Sequence, residues 1–365
     1  MVRGPMKRWL LVASLGTTAS IAALLAAACL TAGCSSLGYV AQSVGGHLDL
    51  VNRARPIDEV TADMATPAAL RERLALAVRI RDFAVSELGL PDNRSYRRYS
   101  DVGRAAAVWN VVAAPELSLT LETWCFPVVG CIGYRGYYDR AAADAEAAAL
   151  RARGLEATVY GVPAYSTLGK LDWLGGDPLL NTFVNWPEGE LARLVFHELS
   201  HQVVYAADDM MFNESFATAV ERIGGARWLA RHAGTTAREQ YAALDARRND
   251  FRALTGRYRE RLDALFRSPA SDTDMRAGKA ALMAELRLEY AALKAGRWAG
   301  FSGYDEWLAR ANNASFGVLA AYNELVPQFE RLFEREGRDF ARFYAEVKRL
   351  AGLPKAERQD TLRAK

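Results

Sequence analysis

The stretch Leu194-Val-Phe-His-Glu-Leu-Ser-His201, followed after a polar break by Asp208-Asp-Met-Met-Phe-Asn-Glu214-Ser-Phe-Ala-Thr-Ala-Val-Glu221, decides the reading of this chain. It sets two of the four histidines in 365 residues four positions apart, with the spacing H-E-x-x-H. On an α-helix, residues four apart lie one above the other, so the imidazoles of His197 and His201 can reach one cation. Glu198 stands about 100° round the helix, toward the open side. Zinc in a hydrolytic site takes three protein ligands and keeps a fourth position for water, whose pKa falls to roughly 7. The second segment is helical by its spacing and supplies the missing carboxylate: Glu214, beyond a spacer of twelve residues, is the best candidate. Ala217 and Ala219 are small enough to let the two helices approach. Glu198 is then expected to act as general base on a zinc-bound water. Glu221, seven residues past Glu214 and close to the same helix face, reads either as an acceptor for a histidine N–H or as an ordinary solvated glutamate. A buried, hydrogen-bonded histidine pair without metal is the bland alternative for the whole motif.

A hydrophobic content of 51% is ample for a sizeable core. The formal charge of +3 comes from the first 33 residues, which carry Arg3, Lys7 and Arg8 and no acid, so the remainder is near neutral and a nucleic-acid partner is not expected. The same residues read as an export signal: a basic start, an apolar stretch from Trp9 to about Leu30, then Leu30-Thr-Ala-Gly-Cys34. That last string resembles a bacterial lipobox, which predicts cleavage before Cys34, lipid attachment to its thiol, and an outer-membrane anchor facing the periplasm. An uncleaved transmembrane anchor is the alternative. Cys125 and Cys131 are left as the free pair. An oxidising compartment and the turn residues Pro127 and Gly130 favour a disulfide between them, with a metal site or two reduced thiols as alternatives.

Residues 34–65 read as a tether and 66–225 as an α+β core, in which Thr66-Pro67 looks like a cap followed by proline in the first turn of a helix to about Leu88. Strands are expected between about Ala105 and Cys131, including Leu117-Ser-Leu-Thr-Leu-Glu-Thr-Trp124, and over Leu155–Gly161, with a helix over Asp139–Gly154 between them. Val162-Pro-Ala-Tyr-Ser-Thr-Leu-Gly169 reads as a strand that pairs with extended substrate or as an ordinary edge strand. Asp172 and Asp177 either meet a substrate amine or serve turns. Pro187 with Glu188 and Glu190 starts the metal helix, and Gly224-Gly225 is expected to end the next one. Residues 226–365 read as a helical region, bent at Ser268-Pro-Ala-Ser-Asp-Thr, in which His232 is a solvated helical histidine. The overall expectation is an α+β fold, mostly helical, with a small mixed sheet, two metal-binding helices and a helical C-terminal half.

The run His197-Glu-Leu-Ser-His201-Gln with Asn213-Glu214-Ser-Phe-Ala217 and Val220-Glu221 resembles the H-E-x-x-H-Q and N-E-G-F-A pattern of membrane-alanyl-type zinc aminopeptidases. Here the spacer is several residues shorter and Ser215 replaces the glycine. More closely, Trp124-Cys125-Phe-Pro-Val-Val-Gly-Cys131, Tyr134-Arg-Gly136, Ser166-Thr-Leu-Gly169, Asp177-Pro-Leu-Leu-Asn181-Thr and Asn312-Asn-Ala314 resemble the bacterial putative aminopeptidase lipoproteins, a gluzincin-like family. The resemblance implies a zinc-dependent peptidase of the cell envelope acting on peptides, with one zinc ion on His197, His201 and Glu214 and with Glu198 catalytic. The G-A-M-E-N strand whose glutamate grips a free amine in better-known aminopeptidases does not occur here. Related peptidases draw an oxyanion-stabilising tyrosine from a downstream helix, which points to Tyr322, with Tyr304 behind it. The competing expectation is a non-catalytic envelope lipoprotein that binds peptides or peptidoglycan stems in the same cleft.

Overall fold

Local signals set most of the element boundaries in the computed structural model, which describes residues 38–126, 130–164 and 166–364. The stretch read as an export signal, the lipobox-like string and Cys34 lie outside the described residues. Two units are distinguished, Met1–Asp49 and Leu50–Lys365. Residues 38–53 are helical. In the second unit, β1 (Arg55–Pro56) runs into α1 (Ile57–Ala62), and α2 (Ala68–Ser86) follows. The segment expected as a tether thus holds regular structure, and Leu50, Ile57 and Val60 are buried. Pro67 proves to be the cap of α2, at φ −55° and ψ 139°, rather than its first helical residue. The first intrahelical bond runs from the Arg71 N–H to the Pro67 carbonyl at 3.1 Å, which starts the helix one residue later than a Thr66 cap would.

Next come β2 (Arg98–Ser100), β3 (Val108–Pro115), β4 (Trp124–Phe126), β5 (Gly130–Ile132) and β6 (Arg135–Tyr137). Asp139 caps α3 (Arg140–Ala152) by accepting from the Ala142 N–H at 2.8 Å, and β7 (Leu155–Val162) follows. After β8 (Leu179–Leu180) come the helices α4 (Glu188–Ser200) and α5 (Met210–His232). The remainder is α6 (Thr235–Phe266), α7 (Asp272–Ala295), α8 (Asp305–Arg310), α9 (Asn313–Asn323), α10 (Val326–Arg335), α11 (Phe340–Ala351) and α12 (Lys355–Ala364). The fold is α+β and mostly helical. Among the described residues, no helix is long and apolar enough to cross a membrane.

Among the described residues, the strands form three small groups rather than one sheet. β1 pairs antiparallel with β2, which pairs parallel with β8; β3 is flanked by β6 and β7, both antiparallel; β4 and β5 form a hairpin. Leu117–Glu122, apolar at alternate positions, is not a strand. Two of its leucines go to different cores: Leu119 packs with the α6–α7 hairpin core, and Leu121 packs with Val112 and Ala114 of β3 and Ala314 of α9. The stretch after β7 is likewise not a strand. The ladder ends at Val162, the chain then turns through left-handed conformations at Leu168 (φ 56°) and Gly169 (φ 69°), and β7 is itself one of the two edges of its sheet.

The main core gathers apolar faces of α2, α4, α5, α10 and α11, including Phe196, Phe216, Phe329 and Phe343, all essentially without exposure. A second core, around Leu254, Leu286 and Trp298, lies between α6 and α7. Gly224-Gly225 does not end a helix: α5 continues through both to His232. A Cβ on Gly224 would lie 2.6 Å from Leu88 Cδ1 and 2.9 Å from Phe196 Cδ2, and one on Gly225 would lie 2.9 Å from Arg193 Cγ. The pair is there for the close approach of α4 and α5.

Candidate metal centre

Helix α4 stops at Ser200, but its cap residue His201 keeps helical torsions, φ −60° and ψ −20°, so the four-residue spacing still sets the two histidines on one face, their rings edge to face at 4.9 Å. Residues 202–209 reverse the chain, and Asp209 opens α5 by accepting from the Phe212 N–H. That connection is fastened from several sides. Asn213 bonds both the N–H and the carbonyl of Ala206, at 2.8 and 2.7 Å. The Asp208 side chain, on a backbone at φ 63°, accepts from the Cys131 N–H at 2.6 Å. Buried Arg358 of α12 pairs with Asp209 at 2.8 Å. Cys125 and Cys131 are joined by a disulfide across the β4–β5 hairpin that supplies the Cys131 N–H.

The outcome is a buried cluster of His197, His201 and Glu214. His197 Nε2 lies 3.2 Å from Glu214 Oε2 and 3.3 Å from His201 Nε2, and His201 Nε2 lies 3.6 Å from the same carboxylate oxygen. Ligands held about 2.0–2.1 Å from one tetrahedral ion sit about 3.3 Å from one another, so the three atoms already stand at the corners that such an ion needs. Glu221 Oε2 is 3.0 Å from His197 Nδ1. With the Nδ1 hydrogen given to Glu221, His197 turns its Nε2 lone pair toward the cluster. The His201 Nδ1 is buried without a hydrogen-bond partner.

The electrostatics call for a cation. Burial works against charge on His197, yet its bonds to Glu214 and Glu221 hold the ring well above the ordinary histidine range. Burial, together with the neighbouring His197 ring, pushes His201 down to about 4 against the attraction of Glu214. Burial also opposes ionisation of Glu221, but Arg193 and His197 overcome it and hold that carboxylate down to about 2. In the metal-free protein the Arg193 guanidinium answers Glu221, and a proton on His197, shared between Glu214 and Glu221, answers the second buried carboxylate. A divalent ion would answer it better, and this donor set of two imidazoles and one carboxylate is one that binds zinc among other divalent metals. Glu198 is brought beside the cluster, and burial lifts its carboxyl to about 7 despite the His197 ring.

Tyr322, on α9, lies with its ring parallel to that of His197, centroids 6.1 Å apart and planes 17° apart. Burial raises its hydroxyl well above the ordinary range, and Glu214 adds to the shift. Tyr304 is not at the site; its ring stacks on Phe251 at 3.9 Å in the second core. His232 is exposed at the end of α5, stacked on Trp228. Asp177 and Asp172 are loop fasteners rather than free acids. Asp177 is 1% exposed and takes the Thr167 N–H on both oxygens, at 3.2 and 3.1 Å, while Asp172 takes the Arg94 N–H at 2.7 Å.

Four participants escaped the reading of the sequence. Tyr134, between β5 and β6, and Tyr160, on β7, both feel Glu214 in addition to burial, so the two tyrosines join Tyr322 around the carboxylate. One comes from a connection between strands and the other from β7, and no local spacing joins them to the motif. Gln202, next to His201, bonds Asn93 at 2.5 Å and Ser95 at 3.1 Å, tying the end of the metal helix to the loop before β2. Arg193 contacts Glu221 and stands one helical turn before His197, a spacing that was available for reading.

No curated protein and no solved structure matches the chain. A family model described as "Putative aminopeptidase" matches residues 38–362, from the N-terminal helix through both metal-centre helices to α12, and the chain belongs to that family.

Proposed function

We propose that this chain is a zinc-dependent peptidase with a gluzincin-like core, an aminopeptidase that hydrolyses peptide bonds in the bacterial cell envelope. The observation that carries this reading is the convergence of His197 Nε2, His201 Nε2 and Glu214 Oε2 within 3.2–3.6 Å of one another, with the carboxyl of Glu198 alongside. A zinc ion, when bound there, supplies a Lewis acid that polarises a carbonyl and lowers the pKa of water. Glu198 takes the proton of the attacking water and passes it to the leaving amine. Burial raises the Glu198 carboxyl in the metal-free protein, and a cation alongside would favour its ionised form, the state a general base needs. Tyr322 donates its hydroxyl hydrogen to the oxyanion, and its raised pKa keeps that hydrogen in place. Glu221 holds the His197 ring in orientation. Acylation of Cys34 anchors the enzyme to the outer membrane, facing the periplasm; the support is the lipobox-like Leu30-Thr-Ala-Gly-Cys34.

Digestion of a defined peptide library tests the reading. Products one residue shorter at the amino end are expected, lost with a zinc chelator and restored by zinc, with turnover by Glu198→Gln lower by about 10²–10⁴-fold. Internal cuts would make the protein an endopeptidase. Peptide binding without any cleavage would favour the non-catalytic lipoprotein.

A further inference from the structure

The facing stripes of α4 and α5 extend one pair beyond the metal cluster. On α4, Arg193, His197 and His201 recur at intervals of four; on α5, Glu214 and Glu221 are seven apart, so each set lies along one helix face. The helices run antiparallel in register: His201 and His197 meet Glu214, while His197 and Arg193 meet Glu221. Glu221 is therefore bound at both ends, Oε1 by the Arg193 guanidinium and Oε2 by His197 Nδ1 at 3.0 Å. A carboxylate held on one oxygen alone can swing about its terminal torsion. Held on both, it has one orientation, and the imidazole that donates to it has one as well.

Arg193 is poorly explained as a purely structural arginine. Its side chain is 8% exposed, yet Nε and Nη1 have no hydrogen-bond partner, and Glu190 and Asp245 stay at 4.0 Å. Those two acids are instead satisfied by Arg248, at 2.7 and 3.2 Å. Unpaired buried donors are a cost that a native fold rarely carries without return. Gly225 leaves room for the side chain, since a Cβ there would meet Arg193 Cγ at 2.9 Å. One donor of this buried guanidinium is used, and it is used on Glu221.

We infer that Arg193 is a positioning residue for the metal centre: it fixes Glu221, which fixes His197, so that the metal's affinity and coordination geometry depend on a side chain that never touches the metal. This rests on the metal reading above, and it concerns metal binding independently of catalysis. The test is zinc affinity of the purified chain, measured by competition with a chromophoric chelator, alongside the visible spectrum of the cobalt(II) form. Arg193→Met should weaken zinc by about 10–100-fold and alter the cobalt bands, as loss of a ligand's orienting partner does. Glu221→Gln should do the same. The double variant should be no more than about twofold weaker than the worse single one, because both break one chain of contacts, whereas independent effects would multiply. Arg193→Lys keeps the charge but not the planar fork, and an intermediate loss is expected; it is the variant to read if Arg193→Met does not fold. Zinc affinity and cobalt bands unchanged in Arg193→Met, or in Arg193→Lys should that be the only one to fold, would overturn the inference alone. A parent chain that holds no zinc would overturn the metal reading and this inference with it.

Discussion

The α4–α5 pair and the α6–α7 hairpin are built from the same charged residue types and use them in opposite ways. Between α6 and α7, Arg257 meets Glu289 at 2.5 Å and Arg261 meets Glu285 at 2.7 Å, with every one of these side chains about half exposed. Water screens such pairs, and they add little to stability; the hairpin is held by Leu254, Leu286 and Trp298 between its helices. Between α4 and α5 the arginine is 8% exposed and its glutamate 14%, both packed beside two buried histidines. Removing one partner there strands an uncompensated charge. What differs is solvent, and it turns an ordinary ion pair into a device that fixes geometry.

The comparison breaks most readily through packing. Gly224→Val should destabilise the protein by about 1–3 kcal/mol in denaturant titration, because the added atoms must displace Leu88 and Phe196 where α4 and α5 approach. An unchanged midpoint would mean that the approach is looser than described. A titration sharpens it next. Burial raises the Asp177 carboxyl from 3.8 to about 6. The folded state thus binds this proton more tightly than the unfolded chain, so the group's contribution is most favourable below pH 4 and is lost as pH rises to 6. In metal-free protein, the stability of Asp177→Asn relative to the parent should therefore climb across that interval, by on the order of 2 kcal/mol. A flat difference would contradict the buried setting. The smallest effect belongs to the hairpin: Glu285→Ala should leave the melting temperature within replicate scatter, and a clear drop would show that exposure there has been misjudged.

What could be read in advance follows the reach of local rules. His197, Glu198 and His201 are joined by helix periodicity alone, and Glu214 by a spacer just long enough for one reversal, so the cluster was legible before any fold was known. Gly224-Gly225 was not. Glycine pairs stop helices by default, and only the side chains of Leu88, Phe196 and Arg193 show that these two serve close packing. The same holds for Leu119 and Leu121, whose alternation imitates a strand while Leu119 packs into the second core and Leu121 between β3 and α9. Tyr160 reaches the site through sheet register and Tyr134 through the connection between β5 and β6, long-range placements without a local spacing.

Metal analysis after purification without added chelator tests the central claim most directly. One zinc per chain is expected in the parent and in Glu198→Gln, and far less than one in Glu214→Ala, whose loss removes a corner of the cluster while both histidines remain. A parent chain that takes up no zinc even when the metal is supplied, or a Glu214→Ala variant that keeps its full complement, would contradict it.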